Sequence, residues 1–375
     1  MRIGQIGISG SKPGAGADPG TPPPAPPRKR SHSLAFIWNE GEMYHMYRNI
    51  LDRLDQPAIT LLLEDSDPDL MPGMLTAAAR TRCQVMRVSE ALSRGIVFDY
   101  LVSHHYMRDE AGEFLRQLGR RQIRYVYGLG VDKWHFAAWN RIYDMILCFG
   151  PYQQARLAPL GSARIVQVGY PRYDDFFIKR PDRGAIVRRL GLDPARPTVV
   201  WLPTWSTLSS IPHYHSAIAA LAADYNVVVK PHPLTLVKEP DKMDLLTRYP
   251  GLRVRTDDLD ILEMYVLADW VVSDYGGTAF SAIYTDRNLL LLDVPGAEAN
   301  PQLANGSSDL VIRKDVARLT PDSAGELAAL LKAPGLWKKQ AEVRSGLRTT
   351  FFAPYFGYSS NLAASVLANP EIVLG

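Results

Sequence analysis

The sequence predicts an α/β protein: two Rossmann-like domains facing a cleft, with a C-terminal helix that crosses back from the second domain to the first. Three observations lead there. The chain has 375 residues, 46% hydrophobic and 22% charged, an ordinary globular composition with room for about two domains at roughly 150 residues each. From Leu34 onward short apolar runs alternate with amphipathic stretches, the pattern of parallel βαβ units. The alternation starts afresh near residue 198, after a stretch rich in arginine, aspartate and proline.

The first series opens with the apolar strand Leu34-Ala35-Phe36-Ile37-Trp38, followed by a helix over 44–54, a strand over 58–63, a helix over 72–81 and a strand over 83–88. Strands over 97–102, 124–127 and 145–149, with a helix over 110–118, complete it. The second series runs as strand 198–202, helix 215–223, strands 226–230 and 252–255, helix 260–268, strand 270–273, helix 279–284 and strand 289–293. Between them Arg180-Pro181-Asp182-Arg183 and Asp193-Pro194-Ala195-Arg196-Pro197 flank a short basic helix, so the domains are expected to span 34–180 and 181–350. The chain beyond, 351–375, reads as helix after a break at Ala353-Pro354-Tyr355 and is expected to pack on the first domain. Residues 1–33 hold seven of the 28 prolines and six of the 28 glycines and little large and apolar after Ile8, so they are expected to be a disordered tail.

Composition removes several function classes. The formal charge is +3, far from the basic excess of a dedicated nucleic-acid binder. Cys83 and Cys148 cannot build a disulfide framework, and no Cys/His cluster has metal-ligand spacing, so neither a metal nor another cofactor is expected. The longest apolar runs, such as Leu289 to Leu292, are strand-sized, and the N-terminus lacks the apolar segment of a secretory signal. A cytoplasmic protein is the expectation.

In parallel sheets, ligands gather at the carboxyl ends of strands, where helix N-termini offer N–H groups to anions. Three such places stand out in the second series. Trp270 to Ser273 runs into Asp274-Tyr275-Gly276-Gly277-Thr278 and then a helix; the glycines let backbone approach a phosphate, and Ser273 and Thr278 add hydroxyls. Lys230-Pro231-His232-Pro233 brings a permanent cation and an imidazole able to act as general base, or when charged to stabilise a leaving phosphate. Thr204 and Ser206 sit in the turn after the strand 198–202. In the first series Glu42, His45, His104 and His105 follow strands and are candidate acceptor-side bases.

The order Gly169-Tyr170-Pro171-Arg172, Leu202-Pro203-Thr204-Trp205, Lys230-Pro231-His232-Pro233, Asp260-Ile261, then Ser273-Asp274-Tyr275 with Asp286-Arg287, resembles the CDP-glycerol glycerophosphotransferase family of teichoic-acid and capsule synthesis. The resemblance implies the two-lobed GT-B architecture, an acceptor-side first domain and a nucleotide-donor-binding second domain. It also implies transfer of glycerol phosphate, or a related polyol phosphate, from a CDP-activated donor to a hydroxyl of a glycan or lipid-linked acceptor. By the same resemblance His232 maps onto the family's histidine and Ser273, Gly276, Gly277 and Thr278 onto its phosphate-binding turn; with the residues read above, the catalytic candidates are His232, His104 and His105, and the substrate-binding ones Lys230, Thr204, Ser206, Ser273, Asp274, Gly276, Gly277, Thr278, Gly128 and Arg172. A lipid-linked acceptor places the work at the inner face of the cell membrane, with Arg116, Arg120, Arg121 and Arg124 as a peripheral contact.

Two departures matter. The family has His-Gly where this chain has Tyr127-Gly128, and a phenol near pKa ~10 is a poor base. His104, His105 or Asp132 then takes over, or the substrates differ. Gly276-Gly277 replaces a pair of serines and resembles the turn of UDP-N-acetylglucosamine 2-epimerases. A nucleotide-sugar glycosyltransferase, such an epimerase, and a non-catalytic nucleotide-binding relative are therefore the alternatives.

Overall fold

The computed structural model describes residues 32–257, 260–303 and 306–375; the expected tail lies almost wholly outside them. The first sheet has seven strands: β1 (Leu34–Trp38), β2 (Ile59–Leu63), β3 (Gln84–Arg87), β4 (Phe98–Ser103), β5 (Gly119–Tyr125), β6 (Met145–Cys148) and β7 (Arg164–Gln167). They are ordered β3-β2-β1-β4-β5-β6-β7 and every ladder is parallel. The second sheet contains β8 (Thr198–Leu202), β9 (Asn226–Val229), β10 (Leu252–Val254), β11 (Trp270–Ser273), β12 (Asn288–Leu292) and β13 (Arg318–Leu319), in the order β10-β9-β8-β11-β12-β13, again all parallel. The α/β class with two Rossmann-like lobes is what the alternation implied.

Continuous apolar runs make both central strands inaccessible on both faces: β1 and β8 are buried at every residue, as strands covered by helices on either side must be. β5 departs from expectation. It begins at Gly119, five residues before the apolar run, because the exposed side chains of Arg120 and Arg121 disguise its first half. Arg124 lies on this strand, fully buried, and cannot reach a membrane surface.

The chain crosses between the lobes twice. After β7 it passes through Tyr170 and Tyr173 to the helix Arg183–Arg189; after the helix Pro334–Phe351 it returns, and the helix Ser359–Ala368 packs on Met43–Leu51 of the first lobe. Asp174 fixes that return by accepting hydrogen bonds from the amides of Ser359 and Ser360 and from the Ser360 hydroxyl. An aromatic seam fills the crossing: Tyr170 stacks on Phe149 at 3.9 Å, and Tyr284 of the second lobe meets both Tyr170 and Phe352. Among the described residues no helix is long and apolar enough to cross a membrane.

Candidate active site

The carboxyl edges of the two sheets face each other across the cleft. On the second lobe, the turn after β11 is built from beneath by Asp274. Its Oδ1 accepts the amides of Thr204 and Tyr275, and its Oδ2 the amide and hydroxyl of Ser210. Burial raises this carboxyl to about 6 even against those donors. The Arg313 guanidinium lies 3.6 Å over the Tyr275 ring, donates to the Asp274 carbonyl and pairs with Asp293, bracing the turn from behind. The helix Gly277–Tyr284 then starts with no side-chain cap on its first amides.

Beside it, His232 caps the helix Pro233–Lys238: its Nδ1 accepts the Leu234 amide at 3.1 Å. Burial holds the imidazole down at about 4, against the pull of Glu42 and Glu239. The ring is therefore neutral at pH 7 with its proton on Nε2, a donor rather than a base. Trp205 lies almost parallel to it at 6.0 Å, and Lys230 reaches the Asp257 carbonyl at 3.0 Å.

On the first lobe, Glu40 and Glu42 follow β1. Glu40 is exposed as a residue, yet desolvation by the surrounding protein and then Glu42 push its carboxyl up while Arg172 pulls it down. Glu42 faces His232 electrostatically, and its Oε2 is buried without a hydrogen bond. Arg172 is charged among Glu42, Asp260 and Glu40. Deeper lie three neutral histidines around Arg124: burial and Arg124 hold His105 near 4 and His135 near 3, and His104 is likewise pushed well down. Arg124 donates to the carbonyls of His104 and His135 and to Asn140, and its own pKa falls to about 10 through burial.

Among the described residues the lobes touch at two places on the rim. At one, Arg48 and His45 approach Asp260 at 3.0 and 3.7 Å. At the other, Asp309 accepts the amides of Gly276 and Val131, each at 2.8 Å, while Asp132 accepts the amide and hydroxyl of Ser308 and the Tyr152 hydroxyl. Gly130 and Gly276 meet there with positive φ; a Cβ on Gly130 would stand 2.7 Å from the Gly276 Cα, so Gly130 has no room for a larger residue, whereas Gly276 faces open space and is constrained only by its φ of +98°.

The family model described as CDP-Glycerol:Poly(glycerophosphate) glycerophosphotransferase matches residues 153–292, the stretch holding β8 to β12 and the turns after them. Over that stretch the chain is similar to those glycerophosphotransferases. Among solved structures, the wall teichoic acid polymerase TagF, in a form soaked with CDPG, aligns with a TM-score of 0.63 at 15% identity, covering 92% of this chain and 90% of that one. Anabaena HepE in complex with UDP and glucose aligns at 0.55 and 12%, covering 90% and 99%, and a glycosyltransferase from Rickettsia africae at 0.51 and 10%, covering 91% and 99%. At such identities the likeness is one of fold, here the two-lobed GT-B arrangement. No protein of curated function matches by sequence.

Against the glycerophosphotransferase motifs, the expected site residues divide. Lys230, His232 and Thr204 lie on loops, Arg172 and Ser206 on short 3-10 turns, and Gly277 and Thr278 on the first turn of the helix Gly277–Tyr284, all following strands at the facing sheet edges. Ser273 and Asp274 do not reach the cleft: both are fully buried, Ser273 bonds to the Thr278 hydroxyl at 2.7 Å, and Asp274 spends its oxygens on the loop amides. The Gly276 amide, expected to bind phosphate, is taken by Asp309. Gly128 is buried, with its carbonyl held by Gln153. Of the substitutes for the missing base, Asp132 is 1% exposed and belongs to the rim contact, and His104 is buried. His105 accepts the Met107 amide on Nδ1, so it too presents a proton rather than taking one. The reasoning from sequence missed Glu40, Asp309 and Arg313. Glu40 had a signal, since it directly follows the first apolar strand; the other two have none short of the fold.

Proposed function

We propose that the protein transfers glycerol phosphate, or a related polyol phosphate, from a CDP-activated donor to a hydroxyl of a glycan or lipid-linked acceptor, at the inner face of the cell envelope. What carries the reading is the family match over the second lobe, whose His232 and uncapped helix Gly277–Tyr284 line one side of the cleft. The diphosphate binds the free amides at Gly277 and Thr278, the Nε2–H of His232 and the positive charge of Lys230. The acceptor oxygen attacks the phosphorus beside the polyol, the bond from that phosphorus to the bridging oxygen breaks, and CMP departs with the electron pair, steadied by the His232 hydrogen bond. The proton lost by the acceptor goes to a carboxylate. Glu40 is that base: it is electrostatically coupled to Tyr127, the position where the family has its histidine, and burial and Glu42 hold its pKa above the ordinary carboxylate value, which makes it a stronger proton acceptor.

Glu40→Gln should lower kcat by about 10²- to 10⁴-fold and leave calorimetric binding of CDP-glycerol unchanged. Full activity in this variant would remove Glu40 from the mechanism. A binding preference for UDP-sugars over CDP-glycerol in the unmodified protein would move the donor reading to the sugar transferases.

A further inference from the structure

A hollow of about 190 Å³ opens at the carboxyl ends of β1, β2 and β4, with Asn39, the residue before Glu40, in its wall. We propose that it receives the acceptor, and that the acceptor's end group is an uncharged polyol or sugar ring rather than a phosphate-bearing terminus; this rests on the transferase reading above. The electrostatics of the wall decide the charge. The single basic residue lining the hollow is Arg108, and its guanidinium is already spent: Glu64 grips it through both oxygens, at 2.5 and 3.2 Å, and Phe114 lies 4.4 Å beneath. Glu64 in turn also holds the Ser66 amide. With that pair cancelling, the exposed carboxylate of Asp67 leaves the wall negative, and its sequence neighbours Asp65 and Asp69 add to the field. A phosphate would meet like charge and no free cation.

The hydrogen-bonding groups fit hydroxyls. His105 accepts the Met107 amide on Nδ1 at 2.8 Å, so its Nε2 bears the proton and faces the Asn39 carboxamide at 3.3 Å. The Asn39 Oδ1 is buried and takes no hydrogen bond as placed. Turning the carboxamide lets Oδ1 accept from His105 and puts the amide group of this hollow-lining residue in the place of the unpartnered oxygen. A donor amide on one side and an acceptor carboxylate, Asp67, on the other are complementary to adjacent hydroxyls, each of which both donates and accepts. Leu70, 44% exposed, and Met107 supply an apolar wall for the C–H face of a ring. Met107 is held at φ +66°, a conformation unusual for a side chain of its kind, and the His105 contact to its amide is part of what holds it there.

The test uses the full chain, with saturation-transfer NMR and calorimetry against methyl glycosides, glycerol and sn-glycerol 3-phosphate, with and without CDP-glycerol. The neutral compounds should bind, and bind about tenfold more weakly in Asn39→Ala. Asp67→Lys, at an exposed position that should not disturb folding, is expected to raise affinity for glycerol 3-phosphate about tenfold while CDP-glycerol binding stays constant. Tighter binding of glycerol 3-phosphate than of any neutral polyol to the unmodified protein would overturn the proposal, as would neutral binding indifferent to both substitutions. Because these readouts involve no turnover, failure of the transferase reading shows separately, as absent CDP-glycerol binding.

Discussion

The two rim contacts join the same pair of lobes by opposite means. At Asp260 the bond is between full charges: Arg48 and His45 of the first lobe surround a carboxylate of the second, and Arg48 reaches Asp175 as well. At Asp309 and Asp132 the carboxylates are traded, one from each lobe, and most of the donors they take are neutral: backbone amides, a serine and a tyrosine. The first contact gains from Coulomb attraction and gives much of it back to desolvation and salt. The second depends on geometry, since its amide donors have no other partner if a carboxylate is removed. An ion pair at a cleft rim can thus loosen with solvent conditions, while a hydrogen-bonded one holds until its shape is broken.

Breaking the geometric contact should cost most. Asp309→Ala strands the amides of Gly276 and Val131 and is expected to lower unfolding stability by about 2–4 kcal/mol, read from a shifted urea midpoint. Salt should hardly change that difference. Arg48→Ala removes a partly exposed cation and should cost about 1 kcal/mol at low ionic strength, shrinking measurably in 1 M salt, where charges are screened within ~3 Å. Equal salt dependence of the two variants would erase the distinction drawn above.

The smallest effect is set by pH. Burial lowers the His45 pKa, but the Asp260 carboxylate and Glu42 more than reverse it, so its folded value lies above the ordinary ~6.5 of imidazole. A raised folded pKa gives stability that is complete below the unfolded value and fades as pH rises through the folded one. His45→Gln should therefore melt below the unmodified protein at pH 5.5 and together with it at pH 9. A gap that widened with alkalinity would contradict the protonated His45.

Much of the architecture was legible because buried parallel strands are written as unbroken apolar runs: β1, β8 and β11 stand where those runs stand. β7 and β13 were not, the one partly exposed and bounded by Arg164, the other two residues long. The site was legible as far as strand ends predict it. His232 could be located but not its tautomer, which depends on one amide two residues ahead. Ser273 and Asp274 could be located but not their depth. Asp309 stands 178 residues from the Val131 amide it holds, and no local pattern announces a partnership that only the docking of two lobes creates.

The double crossing of the chain has a mechanical consequence. Two covalent connections joining two bodies define an axis, as two hinges do for a door, so any relative movement of the lobes would be confined to rotation about the line through residues near 170–197 and 352–358. The rim contacts lie away from that line at the cleft edge, where a small angle produces the largest displacement. A single cut near Pro354 would leave one hinge, and the same domains would gain a rotation the intact chain denies them.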